Sequence, residues 1–157
     1  MKPKKAVNVI LSMVIMISAS ALPVLAANTT DTYITGLVVS GGGEVVYSGS
    51  RSKDDDSPMY LLIYNSTTYN TTRVKALGTN AISATSSNSY NCTCIAGGTR
   101  VSYVTCYRGI DNSVHSFVNE DGYYRATYSF MNPNSGSQTV YAEWSPDSWN
   151  THVDATP

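Results

Sequence analysis

Two stretches carry the clearest strand signal in the chain: Tyr123-Tyr124-Arg125-Ala126-Thr127-Tyr128-Ser129-Phe130 and Thr139-Val140-Tyr141-Ala142-Glu143-Trp144-Ser145. In the first, Tyr124, Ala126, Tyr128 and Phe130 alternate with polar Arg125, Thr127 and Ser129. In the second, Val140, Ala142 and Trp144 share one face, with Thr139, Glu143 and Ser145 on the other. Side chains along an extended strand point to opposite faces in turn, so a period of two marks a half-buried strand. The turn Asn132-Pro133-Asn134-Ser135-Gly136 between them predicts an antiparallel hairpin laid over the core.

Similar segments recur along the chain: Tyr33–Val39, Glu44–Ser48, Met59–Tyr64, Thr72–Leu77, Tyr90–Ile95 and Arg100–Tyr107. Turn residues separate them, including Gly41-Gly42-Gly43, Asp55-Asp56-Ser57-Pro58, Gly78-Thr79-Asn80, Gly97-Gly98 and Asp121-Gly122. About eight short strands at this spacing predict an all-β fold, a small antiparallel β-sandwich. Met59–Tyr64 is apolar on both faces, which places it centrally in its sheet. A helix is suggested only over Ile110 to Val118, where Ile110, Val114, Phe117 and Val118 recur at helical spacing. One or two turns fit there and so does an irregular loop, so the fold holds at most one short helix. Residues 151–157 read as a flexible tail.

The 157 residues are 13% charged and 42% hydrophobic, with 12 Tyr against 2 Phe. Leu, Ile, Val and Phe fall below about a fifth of the chain after the leader, a level that warns of disorder only when net charge is high. The formal net charge is −1. Tyr and Trp rings supply the missing apolar area. Long helical bundles, coiled coils and multi-span membrane proteins are excluded.

Lys2-Pro3-Lys4-Lys5, the apolar run Ala6 to Ala21, the break at Pro23 and the small-residue site Val24-Leu25-Ala26 form an export signal. Residues 1–26 are the expected signal peptide and 27–150 one β-rich domain. Cleavage is expected near Ala26-Ala27, with a cut one residue later, after Leu25-Ala26-Ala27, as the alternative. Asn8, Ser12, Ser18 and Pro23 interrupt the run and disfavour an uncleaved anchor. No later stretch approaches the ~18 apolar residues of a membrane span, so none is expected in the mature chain. Without the signal, the basic residues are Arg51, Lys53, Arg73, Lys75, Arg100, Arg108 and Arg125, scattered among eleven acidic ones. That leaves nucleic acid and anionic lipid no electrostatic footing.

Export favours disulfides, yet there are three cysteines, Cys92, Cys94 and Cys106. With Gly97-Gly98 as a two-residue hairpin turn, Cys106 lands opposite Ser89 and on the other face from Cys92 and Cys94. A bridge from Cys106 to Cys94 or Cys92 then requires a bulge or a loop with an odd residue count. Cys94 and Cys106 are the candidate disulfide, and the pairing stays open. Three thiols with His115 and His152 match no zinc spacing, so no metal is expected.

No catalytic residues emerge. Neither histidine sits in a catalytic motif, and the carboxylates offer no acid–base pair. Asp54-Asp55-Asp56 lacks the ordered loop of calcium motifs and reads as a solvated acidic turn balancing Arg51 and Lys53. Asn28, Asn65, Asn70 and Asn91 open N-x-Ser/Thr sequons, read here as polar turn and edge positions. In Trp144-Ser145-Pro146-Asp147-Ser148-Trp149, Trp144 belongs to the core face. Trp149 and Asp147 are the candidate binding residues, a ring to stack on a sugar and a carboxylate to hold its hydroxyls. The partner implied is a cell-envelope component or glycan, and no cofactor is called for.

Four segments also carry a resemblance: Ser50-Arg51-Ser52-Lys53-Asp54-Asp55-Asp56-Ser57-Pro58-Met59-Tyr60, Asn91-Cys92-Thr93, Glu120-Asp121-Gly122-Tyr123, and Trp144-Ser145-Pro146-Asp147-Ser148. Together they resemble an uncharacterised family of short exported proteins of Gram-positive bacteria. More remotely, the organisation is similar to lactococcin-type bacteriocins. That likeness implies a compact exported β-sandwich, with an ABC transporter and an immunity membrane protein as partners. This chain departs in its greater length and its three cysteines, and no functional residue is carried over. The expectation is a secreted, non-enzymatic bacterial protein acting by extracellular binding, bacteriocin-like in one reading. The alternative is a cell-surface glycan-binding or adhesive module.

Overall fold

The computed structural model describes residues 28–66, 69–148 and 152–157. Within them the regular structure is all strand: β1 (Thr32–Val39), β2 (Glu44–Val46), β3 (Arg51–Ser52), β4 (Met59–Ser66), β5 (Thr71–Thr79), β6 (Ser89–Asn91), β7 (Val104–Tyr107), β8 (Asp111–Val114), β9 (Arg125–Met131), β10 (Gln138–Ser145) and β11 (Val153–Asp154). They form two sheets. One runs β1-β10-β4-β8-β11; the other runs β2-β9-β5-β6, with β3 also on β9 and β7 also on β5. All pairings are antiparallel except β11 with β8. The expected all-β, sandwich-like architecture is therefore the observed one, and each of the eight expected strands overlaps an observed strand.

The core is built from the alternation that announced it. Val140, Ala142 and Trp144 of β10 and Ala126, Tyr128 and Phe130 of β9 are all fully buried. The Trp144 ring meets Tyr128 edge-on at 5.5 Å and Tyr47 at 6.3 Å, the T-shaped arrangement that aromatic quadrupoles favour. A polar tie joins the sheets at one end of this core. Buried Gln138 of β10 donates from Nε2 to Ser66 Oγ at 2.6 Å and to Thr72 Oγ1 at 2.7 Å, on β4 and β5.

β9 and β10 do not form the expected hairpin. They lie in different sheets and face each other across the core. Each strand already has both edges occupied, β9 by β5 and β2/β3, and β10 by β1 and β4. The turn between them is a crossover between sheets. Asn132 organises it, donating from Nδ2 to Gly136 O at 2.6 Å while its Oδ1 accepts from Asn134 N at 3.1 Å. Tyr124, expected on the inner face, precedes the strand and is 59% exposed.

Two other expectations change. The helical spacing at Ile110–Val118 does not make a helix. Asp111–Val114 pairs along β4, and buried Asn112 donates to Leu61 O and to Ile110 O. Val114 faces the core as a strand residue, while Ile110 is exposed. The end of the chain is no loose tail either. Val153–Asp154 pairs in parallel with Asn112–Ser113, Ala155 N donates to Ser113 O, and Ala155 is buried. β4 does sit centrally, third of five strands.

Gly97-Gly98 is a turn, both residues having positive φ that glycine adopts freely. Its register is one residue off the expected one, with Cys94 opposite Arg100 across the odd-numbered loop 95–99. The returning chain then leaves β6 and joins β5 further along as β7, placing Cys106 opposite Thr72.

Candidate functional site

The outer face of the five-stranded sheet carries a polar groove of about 300 Å³. Thr29 and Asp31 reach it from the chain before β1, Tyr60 from β4, Asp111 from β8, Ser145 from β10, Ser148 from just beyond, and His152 from before β11. Asp147 forms its floor. Strand register explains the grouping. Tyr60 is opposite Ser145 on one side and Ser113 on the other, while Leu62 is opposite Glu143 and Asp111. Since Met59, Leu61, Ala142 and Trp144 face the core, the residues alternating with them come together on the outside.

Tyr60 Oη donates to Asp111 Oδ1 at 3.1 Å, and its ring packs on that of His152 with centroids 4.9 Å apart. Burial pushes the Tyr60 phenol well above its usual range, and the negative charges of Asp111, Glu143 and Asp31 add to this. Burial also raises the Glu143 carboxyl, reinforced by its hydrogen bond to Asp31 and by the charges of Asp31 and Asp111. Among the described residues no lysine or arginine lines the groove. The arrangement offers carboxyl acceptors beside an aromatic pair on rigid strands, which suits a ligand rich in O–H or N–H donors.

Asp147 has another role than the expected one. It is fully buried; Oδ1 accepts from Lys53 Nζ at 2.7 Å, and Oδ2 accepts from Asn28 N at 2.7 Å and Asp54 N at 3.0 Å. The carboxylate is committed to internal donors and has none of the exposure a sugar contact needs. Lys53, read from sequence as part of a solvated acidic turn, is 1% exposed at its side chain. Its other two N–H donors go to Asp55 O and Ser57 O, each at 2.7 Å, so the acidic loop wraps around it. Asn119 Nδ2 donates to Asp55 O at 2.8 Å, and Ser148 N to Ser57 Oγ at 3.1 Å. A buried charge costs several kcal/mol unless paired and hydrogen-bonded, and here both members of the pair are.

This pairing joins two segments far apart in sequence, Ser50–Tyr60 and Trp144–Ser148, into one structural unit under the groove. The model of the family described as "Protein of unknown function (DUF2712)" matches residues 22–148. The chain belongs to this family. The DUF2712 match takes in both partners of the ion pair and every groove residue named above except His152. No curated protein and no solved structure matches the chain.

Trp149, the other candidate binding residue, lies outside the described residues, as do the signal segment 1–26 and its cleavage site. The candidate disulfide does not form: Cys92, Cys94 and Cys106 are all free and buried. Cys106 belongs to β7 on β5, whereas Cys94 belongs to the loop beyond β6. Burial pushes the Cys92 thiol up to about 12, helped by Asp121, and raises Cys94 with help from Glu120. Cys106 is raised further by burial alone. Thiols in this state are poor nucleophiles. His115 Nε2 is 2.8 Å from Asp154 Oδ1, tying β8 to β11. Among the described residues no His/Cys/Asp/Glu group is arranged to hold a metal ion, and no helix is long and apolar enough to cross a membrane.

Sequence reasoning missed Tyr60, Asp111, Asp31, Glu143, His152 and Lys53. The first five gather through pairing among β1, β10, β4, β8 and β11, which are scattered along the chain, so no local motif marks them. Parity alone marked Glu143 as outward-facing.

Proposed function

We propose that this is a secreted, non-enzymatic bacterial protein that acts by binding outside the cell, with the groove of the five-stranded sheet as its recognition site for a cell-surface glycan. The observation that carries this reading is the Tyr60–His152 ring pair beside the carboxyl groups of Asp31, Asp111 and Glu143. Sugar hydroxyls donate well to carboxylates, and the apolar face of a sugar ring packs on aromatic rings. Trp149 follows the groove residue Ser148 directly in the chain, which supports its role as a further stacking ring. The Lys-rich leader supports secretion.

The test is retention of the purified 28–157 chain on isolated Gram-positive cell walls. Saturable retention is expected, weakened about tenfold or more by Tyr60→Ala with the fold intact by circular dichroism, a loss worth about 1.4 kcal/mol. Absence of retention on any wall preparation overturns the glycan reading. Growth inhibition across the same strains without wall retention puts the bacteriocin-like reading first, together with the immunity protein and transporter it implies.

A further inference from the structure

The main-chain nitrogen of Asn28 sits against a buried carboxylate. It lies 2.7 Å from Oδ2 of Asp147, a carboxylate with no exposure to solvent. The position of that nitrogen is fixed by anchors that do not involve the residues before it. The Asn28 side chain donates from Nδ2 to Ser52 O at 3.0 Å and accepts at Oδ1 from Arg51 Nη2 at 2.6 Å. Arg51 Nη1 donates onward to Thr30 O and to Thr32 Oγ1, so one guanidinium holds the whole entry into β1.

Export signals are removed by hydrolysis of a peptide bond after a small residue, and Leu25-Ala26-Ala27 offers such a bond between Ala27 and Asn28. Resting on the secretion reading above, we propose that the signal peptidase cuts there, and that the α-ammonium freed on Asn28 becomes a second counter-ion of Asp147. Water adds across the bond: Ala27 leaves with the carboxylate, and Asn28 keeps the nitrogen and takes up protons to become the ammonium. A neutral amide donor is thereby exchanged for a charged one at the same place, which adds the attraction of a full positive charge to a bond already assisted by the carboxylate.

The groups facing the new charge make it welcome. Asp147 is shared with Lys53, Asp54 donates to it from its backbone, and Asp55 lies 3.9 Å from Lys53 Nζ. Arg51 faces Asn28 from β3, while Asp31, Asp111, Tyr60 and His152 line the groove above Asp147. Lys53, Arg51 and the new ammonium are thus set among the carboxylates of Asp147, Asp55, Asp31 and Asp111. The cut also has a structural consequence, since the unprocessed chain folds with the weaker amide contact and processing tightens it.

The test has two arms. Chains starting at Asn28 are prepared with a free and with an acetylated α-amino group, acetylation restoring the amide. The free form is expected to melt about 3–6 °C higher at pH 6 to 7. Pairing raises the α-amino pKa in the folded state above its ordinary value of about 8, so the advantage is full below that value. It disappears as pH rises through the folded-state value. Equal melting of the two forms between pH 6 and 9 overturns the counter-ion role. In the second arm the full chain is expressed in a Gram-positive host and the medium is analysed by intact mass, which is expected to show Asn28 as the first residue. A first residue of Ala27 overturns the assigned cut. Failure of any processed chain to reach the medium refutes the secretion reading instead, and the first arm still decides whether the site takes an ammonium.

Discussion

Replacing Lys53 by Met removes the charge from a buried pair while keeping the length and apolar stem of the side chain. The Lys53 side chain is 1% exposed and that of Asp147 is 0% exposed, so solvent cannot stand in for the lost ammonium. Three acceptors lose their donor at once: Asp147 Oδ1, Asp55 O and Ser57 O. Removing one partner of a buried pair costs about 3–5 kcal/mol, because the remaining charge stays buried and unpaired. The donors left on Asp147, from Asn28 and Asp54, hold the cost near the lower figure. A loss of about 3 kcal/mol corresponds to a Tm lower by about 10–15 °C for a domain of this size. The assay is equilibrium urea unfolding of residues 28–157, run for Lys53→Met, Asp147→Asn and the double variant. The double variant should be more stable than the sum of the single losses predicts, by about 1.5 kcal/mol or more, the signature of directly coupled partners. A Lys53→Met loss below about 1 kcal/mol, or strictly additive losses, would refute the claim that this ion pair anchors the loop beneath the groove.

Other outcomes follow from the same structure. A Cβ at Gly78 would meet the Tyr123 ring at 2.4 Å and Cys92 Sγ at 2.9 Å, so Gly78→Ala should destabilise by about 1–3 kcal/mol in thermal melts and disturb the Tyr90–Tyr123 stack. Glu143→Gln should raise Tm at pH 7 by removing repulsion from Asp31 and Asp111. Because the folded-state pKa of Glu143 is raised, wild type regains that stability as pH falls through the carboxylate range, and the gap between the two proteins should close there. All three thiols should resist a thiol-reactive dye in the native protein and react rapidly after denaturation; fast reaction of any one in the folded state would contradict the burial described. Removing residues 152–157 strips β11 from β8 and the His152 ring from Tyr60, so it should both lower Tm and weaken wall retention.

The fold class was legible because it rests on local alternation. Val140, Ala142 and Trp144 are inward in sequence pattern and in structure, and so are Ala126, Tyr128 and Phe130. Which sheet each strand joins was not legible. A turn such as Asn132–Gly136 suits a hairpin as well as a crossover, and the choice depends on which edges distant strands already occupy. β8 was hidden because Ile110, Val114, Phe117 and Val118 match a helical period by chance. Its pairing with β4 is a tertiary contact that overrides local pattern. The groove was least visible of all. Tyr60, Asp111 and Glu143 meet only through the register of three strands, while Lys53 sits among acidic residues and looked solvated until its partner ninety-four positions away came into place.

The claim that matters most is that the outer groove binds sugars. A heteronuclear NMR titration of the 28–157 chain with soluble cell-wall glycan fragments tests it directly. Saturable shifts are expected, confined to Asp31, Tyr60, Asp111, Ser145 and the chain around His152, and stronger for neutral or amine-bearing sugars than for carboxylated ones, which the groove's own carboxylates repel. Shifts centred on any other face of the molecule, or none at saturating fragment, would contradict it.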